Sequence, residues 1–175
     1  MWQSIVATLR DEFADLNDPS QFTRVAVRLL VAVVLGAIIG YERERSGKTA
    51  GLRTHMLVAL GVALVIVSAE QAGVQPADMT RVLQGLFAGI GFLGAGAILK
   101  LDEKERVKGL TTAAGIWATA AIAAAAGLGR EATAVFATVL AYIILALLLK
   151  LEQKLERDPS ASRNTPGASG ADSRD

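Results

Sequence analysis

The sequence predicts an all-α membrane protein, a polytopic bundle of about five transmembrane helices preceded by an N-terminal amphipathic helix. Three observations lead there. Of the 175 residues 52% are apolar and 20% charged, and the charges are gathered into a few short clusters. Between the clusters run apolar stretches of roughly 18–20 residues, the length that crosses a hydrocarbon core of about 30 Å at 1.5 Å per residue. Basic residues also concentrate in alternate connections, as they do in multi-pass proteins.

Residues 2–16 place Trp2, Ile5, Val6, Leu9, Phe13 and Leu16 on one helical face and polar or acidic residues on the other. That pattern suits a helix lying in the membrane interface, or one packed on the bundle. Acidic Asp11, Glu12 and Asp15, with no basic start before an apolar core, argue against a cleaved signal peptide. Asn17-Asp18-Pro19-Ser20 breaks the helix. The expected spans are 25–41, 54–72, 82–99, 110–128 and 132–149. Arg28 lies near the start of the first, where a long side chain can snorkel to headgroups. Residues 150–157 continue the last helix into water, and from Asp158 onward the composition predicts disorder. The chain therefore divides into an interfacial segment, 1–20, a transmembrane domain, 21–150, and a helical extension with tail, 151–175.

Orientation follows from the charges. Arg43, Arg45, Lys48 and Arg53, then Lys100, Lys104, Arg106 and Lys108, then five basic residues of the tail lie on one side, thirteen in all. The other side has five: Arg10, Arg24, Arg28, Arg81 and Arg130. The positive side is the cytoplasmic one, so the expected topology is N-terminus outside and C-terminus inside. A net charge of +1 offers no basic field for nucleic acid, and without cysteine there are no disulfides or thiolate metal sites.

A shift of 58 residues aligns two hairpins without a gap. Leu35-Gly36-Ala37 falls on Leu93-Gly94-Ala95, Gly51-Leu52-x-Thr54 on Gly109-Leu110-x-Thr112, Ala63 on Ala121, and Glu44 on Asp102. The seven identities exceed the roughly two to four that this composition gives by chance. Hairpins of the same orientation would form a parallel repeat about an axis along the membrane normal. Both would start a helix with Gly-Leu-x-Thr at the cytoplasmic face and aim two positive dipole ends at one patch.

Gly89-Ile90-Gly91-Phe92-Leu93-Gly94 matches the string of a dinucleotide fingerprint, but it lies inside an apolar span with no preceding strand. The better reading of Gly85, Gly89, Gly91, Gly94 and Gly96 is close helix packing, which serves bundle cohesion, self-association or docking of a foreign helix. The alanine run 113–126, with Trp117 its one large residue, also reads as packing. The cluster Glu42-Arg43-Glu44-Arg45, with Arg53 and Thr54 at a helix start and Thr111 and Thr112 at the equivalent start, is either a topology signal or a structured polar site. The helix dipole disfavours a cation at Arg53, so Glu42, Glu44 or a lipid phosphate is expected to neutralise it. His55 is given no role. Glu42, Glu44, Glu70 and Asp78 stand near the span ends and no Asp or Glu lies in the middle of a span, which leaves a path for a divalent cation without a neutralising carboxylate. No nucleophile–base set or metal-ligand cluster is evident, so no enzyme activity, catalytic residue or metal site is expected.

Ala50-Gly51-Leu52-Arg53-Thr54 with Leu57-Val58-Ala59, then 89–96, then Gly109-Leu110-Thr111-Thr112-Ala113-Ala114 with Trp117, resemble the MgtC/SapB membrane protein family. Leu35-Gly36, Glu42-Arg43-Glu44, and Arg81 with Gln84 fit the same pattern, and the resemblance covers residues 24–130. It implies a bacterial inner-membrane protein linked to growth in low magnesium and to survival of pathogens in host cells. It also implies a regulator that restrains the proton-driven ATP synthase, or, from the family's name, a Mg²⁺ transporter or channel. Mg²⁺ is not derivable as a cofactor from the residues. Partners implied are the lipid bilayer, a homo-oligomer and a membrane complex such as the ATP synthase, with no nucleic acid. Longer members add a soluble C-terminal domain, whose function is expected to be missing here. Some members carry cysteine directly after the tryptophan, where this chain has Ala118.

Overall fold

The computed structural model describes residues 1–12, 18–100 and 107–156. Among these there are six helices: α1 (Trp2–Glu12), α2 (Pro19–Arg45), α3 (Leu52–Gln71), α4 (Pro76–Ala97), α5 (Leu110–Gly127) and α6 (Glu131–Glu156). Two two-residue strands, β1 (Leu99–Lys100) and β2 (Val107–Lys108), pair antiparallel at the base of the α4–α5 hairpin. The all-α membrane bundle is as expected. Residues 13–16 of the amphipathic segment, Asp102, Lys104, Arg106 and the tail from Arg157 lie outside the described residues.

Three helices, α2, α3 and α5, are long and apolar enough to cross a membrane. α4 has 22 residues, but its glycines and Arg81 dilute its hydropathy. α6 has an apolar portion, Glu131–Ala146, before its more polar end. α2 begins at Pro19, where Pro suits the first helical position, and is capped by Asp18, which accepts from the Ser20 amide at 3.0 Å. The sequence-based span began six residues later because it counted only apolar positions.

α2, α3 and α5 form the centre, with α4 packed on α5 and α6 packed on α2 and α5. Their inward stripes are small or branched: Ala32, Leu35 and Ile39; Ala59, Val62 and Ile66; Ile116, Ala120 and Ala123. Lipid removes the hydrophobic drive between helices, so close backbone approach supplies the cohesion. Gly36 and Gly40 allow it between α2 and α3. A Cβ at Gly36 would sit 2.7 Å from the Ala59 Cβ and 2.8 Å from the His55 carbonyl oxygen. Gly127 does the same between α5 and Ala63.

Both hairpins start their second helix at a glycine N-cap, Gly51 for α3 and Gly109 for α5. Gly36 faces His55, and Gly94, 58 residues on, faces Ala113 at 3.7 Å, also 58 residues on. The hairpin register thus repeats as the sequence shift predicts. α1 buries none of its described side chains, and Trp2, Ile5 and Leu9 are exposed. Of the two sequence readings, packing on the bundle is not what the fold shows.

Arg28 reaches toward the helix ends. It lies nearly three turns into α2, pairs with Glu70 at the end of α3, and donates to the Gly127 carbonyl at 3.1 Å. The cation thereby meets the carbonyl end of α5, where the dipole favours it. Gly129, at φ +73°, lies against this guanidinium.

Candidate functional site

The helix ends at Arg45 and Leu52 enclose a buried polar cluster. Arg43 lies on the inward stripe of α2, at helical spacing from Leu35, Gly36, Ile39 and Gly40, and only 1% of it is exposed. Its Nε donates to Glu42 Oε2 at 2.5 Å, and Ser46 Oγ donates to Glu42 Oε1 at 2.8 Å. His55 opens the inward stripe of α3 and is fully buried, with Nδ1 2.7 Å from the buried Thr119 hydroxyl of α5. Gly115 leaves the room: a Cβ there would stand 3.6 Å from His55 Cε1 and 3.8 Å from Arg43 Cδ. Arg43 Nη1 and His55 Nε2 are buried without a hydrogen-bond partner among the described residues. A charged group taken from water costs several kcal/mol unless paired, so the Glu42 carboxylate is what makes Arg43 tolerable here.

The residues singled out in the sequence fall into separate places. Glu42 and Arg43 join the cluster. Glu44 is exposed, and its carboxylate accepts from the Leu52 amide at 2.9 Å, capping α3 in place of a side chain at Gly51. Arg53 is exposed, and among the described residues neither Glu42 nor Glu44 pairs with it. Of the acids expected to neutralise Arg53, Glu42 pairs with Arg43 instead, because α2 continues past the apolar stretch and carries Arg43 inward. Thr54 is half-buried, Thr111 exposed and Thr112 buried. Sequence reasoning passed over His55 and Thr119, although each stands on the inward stripe of its helix.

The glycines of α4 divide differently. Gly94 is buried against Ala113, whereas a Cβ on Gly85, Gly89, Gly91 or Gly96 would meet nothing within 4 Å among the described residues. At 100° per residue Gly85, Gly89 and Gly96 fall within about 40° of arc. Beside them Phe92 is 85% exposed. Arg81 and Gln84 are also exposed, with Arg81 3.9 Å from Asp78. Trp117, half-exposed, packs on Phe87 of α4 with ring centroids 5.5 Å apart. Among the described residues no group of three or more His, Cys, Asp or Glu could hold a metal ion. The site is thus a buried ion pair on the first hairpin with an open glycine face on α4 of the next.

A family model described as "MgtC family" matches residues 29–154. Protein SrpB of Synechococcus elongatus is 40% identical over 74% of this chain and 77% of its own length. Protein MgtC of Salmonella typhimurium is 40% identical over 76% of this chain. Protein MgtC of Brucella abortus is 44% identical over 75%. The match spans 56% and 54% of those two MgtC proteins, so about half their length. No solved structure gives a significant match.

Proposed function

Because this chain belongs to the MgtC family, we propose that it is a non-enzymatic regulator in the bacterial inner membrane, linked to magnesium limitation. On this reading it acts by docking α4 against a helix of another membrane protein. The observation that carries the reading is the set of α4 glycines with open space beside them. A glycine inside a helix costs about 1 kcal/mol relative to alanine in water. Internal packing offsets that cost at Gly36 and Gly94 but not at Gly85, Gly89 or Gly96. The i, i+4 spacing of Gly85 and Gly89 is the small-xxx-small arrangement that lets two membrane helices touch backbone to backbone. The membrane sector of the proton-driven ATP synthase is the partner that the family resemblance points to.

The alternation of basic connections supports five crossings with the Glu42 end in the cytoplasm. There the Glu42–Arg43 cluster would hold α2, α3 and α5 in one arrangement while α4 presents its face. The buried pair weighs against the transporter reading, since the Glu42 carboxylate is already engaged by Arg43 and Ser46 and is not free to neutralise a divalent cation passing between these helices.

The test compares the wild-type chain with Gly85→Leu/Gly89→Leu. Isolation from native membranes in mild detergent should recover a membrane partner with the wild type and lose it with the variant, at a thermal stability no lower than wild type. Mg²⁺ uptake by proteoliposomes of the purified chain, abolished by Glu42→Gln, would overturn the regulatory reading in favour of transport.

A further inference from the structure

At the other end of the bundle the first turns of α2 and the last turn of α3 enclose a cleft of about 230 Å³. Its charged lining is balanced: Asp18 and Glu70 are acidic, Arg24 and Arg28 basic. Pockets for drug-sized ligands are larger, about 300–1,000 Å³, so the cleft suits a molecule of few atoms. It carries both signs of charge and has no net charge, which selects a zwitterion over a simple anion or cation.

The four groups are unequally engaged. Arg28 is held by Glu70 and the Gly127 carbonyl. Asp18 accepts from Ser20 through both oxygens, Oδ1 from the amide and Oδ2 from the hydroxyl. Arg24 is exposed and makes no ion pair among the described residues. Glu70 keeps one carboxylate oxygen out of its pairing with Arg28. An open guanidinium therefore stands across a small cleft from a carboxylate with spare acceptor capacity.

Position identifies what the zwitterion is attached to. Val25 and Val67 form the apolar part of the lining. Val27 and Leu30 follow on α2 as exposed apolar residues. The cleft therefore stands where a polar helix end gives way to a surface that only hydrocarbon would cover.

We propose that this cleft binds a phosphoethanolamine group, its phosphate on Arg24 with Arg28 behind and its primary ammonium on Glu70. Guanidinium matches phosphate oxygens through paired N–H donors. A primary ammonium brings three donors to a carboxylate, which a trimethylammonium group cannot do. The continuity with the apolar surface makes the headgroup of a bilayer phospholipid the natural source, and the free compound shares the same chemistry.

The experiment uses the full chain in nanodiscs of equal phosphatidylethanolamine, phosphatidylcholine and phosphatidylglycerol, followed by native mass spectrometry of retained lipid. The wild type should retain phosphatidylethanolamine roughly tenfold over phosphatidylcholine, the effect of one charge-assisted contact. Arg24→Glu, at an exposed position, removes the phosphate contact that both lipids share and should abolish retention at this cleft, and the preference with it, whereas Lys108→Glu at the opposite end should keep both. Equal retention of the three lipids by a wild type that also fails to bind free phosphoethanolamine, or an undiminished preference in Arg24→Glu, would overturn the proposal. Calorimetry with free phosphoethanolamine separates the sources. Displacement of bound lipid by the free compound supports a headgroup site. Saturable binding of the free compound without lipid retention assigns the same site to a soluble ligand. Equal binding of the free compound to wild type and Arg24→Glu overturns both.

Discussion

Replacing Glu42 by Gln isolates the electrostatic function of the buried cluster. The amide keeps the size of the side chain and can still accept from Ser46, which donates at 2.8 Å. It removes the one negative charge that Arg43 Nε reaches, in a residue whose Nη1 already has no partner. With Arg43 only 1% exposed, water cannot take the carboxylate's place. Breaking a buried pair by removing one partner costs about 3–5 kcal/mol. For a domain of this size that is a fall of roughly 10 °C in the unfolding midpoint. Thermal unfolding of the purified chain in detergent micelles, followed by far-ultraviolet circular dichroism, measures it. The double change Glu42→Leu/Arg43→Met should recover most of the loss, since apolar replacement of both partners removes two desolvation costs together. A Glu42→Gln protein within about 0.5 kcal/mol of wild type, or a double variant less stable than Glu42→Gln, would refute the pairing argument.

Other outcomes follow from the same geometry. Gly36→Ala places a Cβ 2.8 Å from the His55 carbonyl oxygen and should destabilise by about 1–3 kcal/mol, read by the same unfolding assay. Gly89→Ala meets nothing within 4 Å and should stabilise the isolated chain by up to about 1 kcal/mol while weakening recovery of a partner from membranes. Gly129→Ala must adopt φ +73° against Arg28, and should lower the midpoint by an amount matching about 1–3 kcal/mol of strain. Asp18 responds to acid. The Ser20 hydroxyl and then the Ser20 amide hold its carboxyl below its ordinary value of 3.8. A depressed carboxylate contributes stability above the unfolded-state value, and the contribution fades as pH falls through the folded one. The protection of amides in the first turn of α2, measured against their intrinsic exchange rate, should therefore fall below about pH 4 in the wild type, and the acid-induced loss of protection should be absent in Asp18→Asn.

The elements were legible because bilayer length and helix period are both written in the apolar pattern. The hairpin starts were legible because Gly-Leu-x-Thr recurs 58 residues on, and both glycines prove to be N-caps. The cluster was legible only in part. Apolar counting closed the first span at Tyr41, yet the inward stripe of α2 runs Ala32, Leu35, Gly36, Ile39, Gly40 and on to Arg43 at unbroken helical spacing. Following period rather than polarity would have selected Arg43 over Arg53. His55, Ala59, Val62 and Ile66 carry the same signal. That Thr119, 64 residues away, meets His55 depends on how α5 is rotated against α3, and local pattern does not encode rotation. The Arg28–Glu70 pair was hidden for a similar reason, since its partners come from two helices whose lengths place them at one level.

The two hairpins share a register but use their glycines in opposite ways, and the contrast is a physical argument about division of labour. In the first, Gly36 brings α2 within contact of Ala59 and the His55 backbone, and the seam ends in the buried Glu42–Arg43 pair. In the second, the equivalent Gly94 faces Ala113 at the looser 3.7 Å, and a Cβ on Gly85, Gly89 or Gly96 would meet nothing within 4 Å among the described residues. A helix that keeps such residues without an internal contact to offset their cost is arranged for an external one. The closed hairpin then supplies rigidity, and the open one presents a surface whose shape that rigidity preserves. If so, loosening the first hairpin with Gly36→Ala should weaken partner recovery as Gly85→Leu/Gly89→Leu does, but with a lowered unfolding midpoint. A destabilised Gly36→Ala protein that recovers its partner in full would separate the two hairpins and remove the link between them.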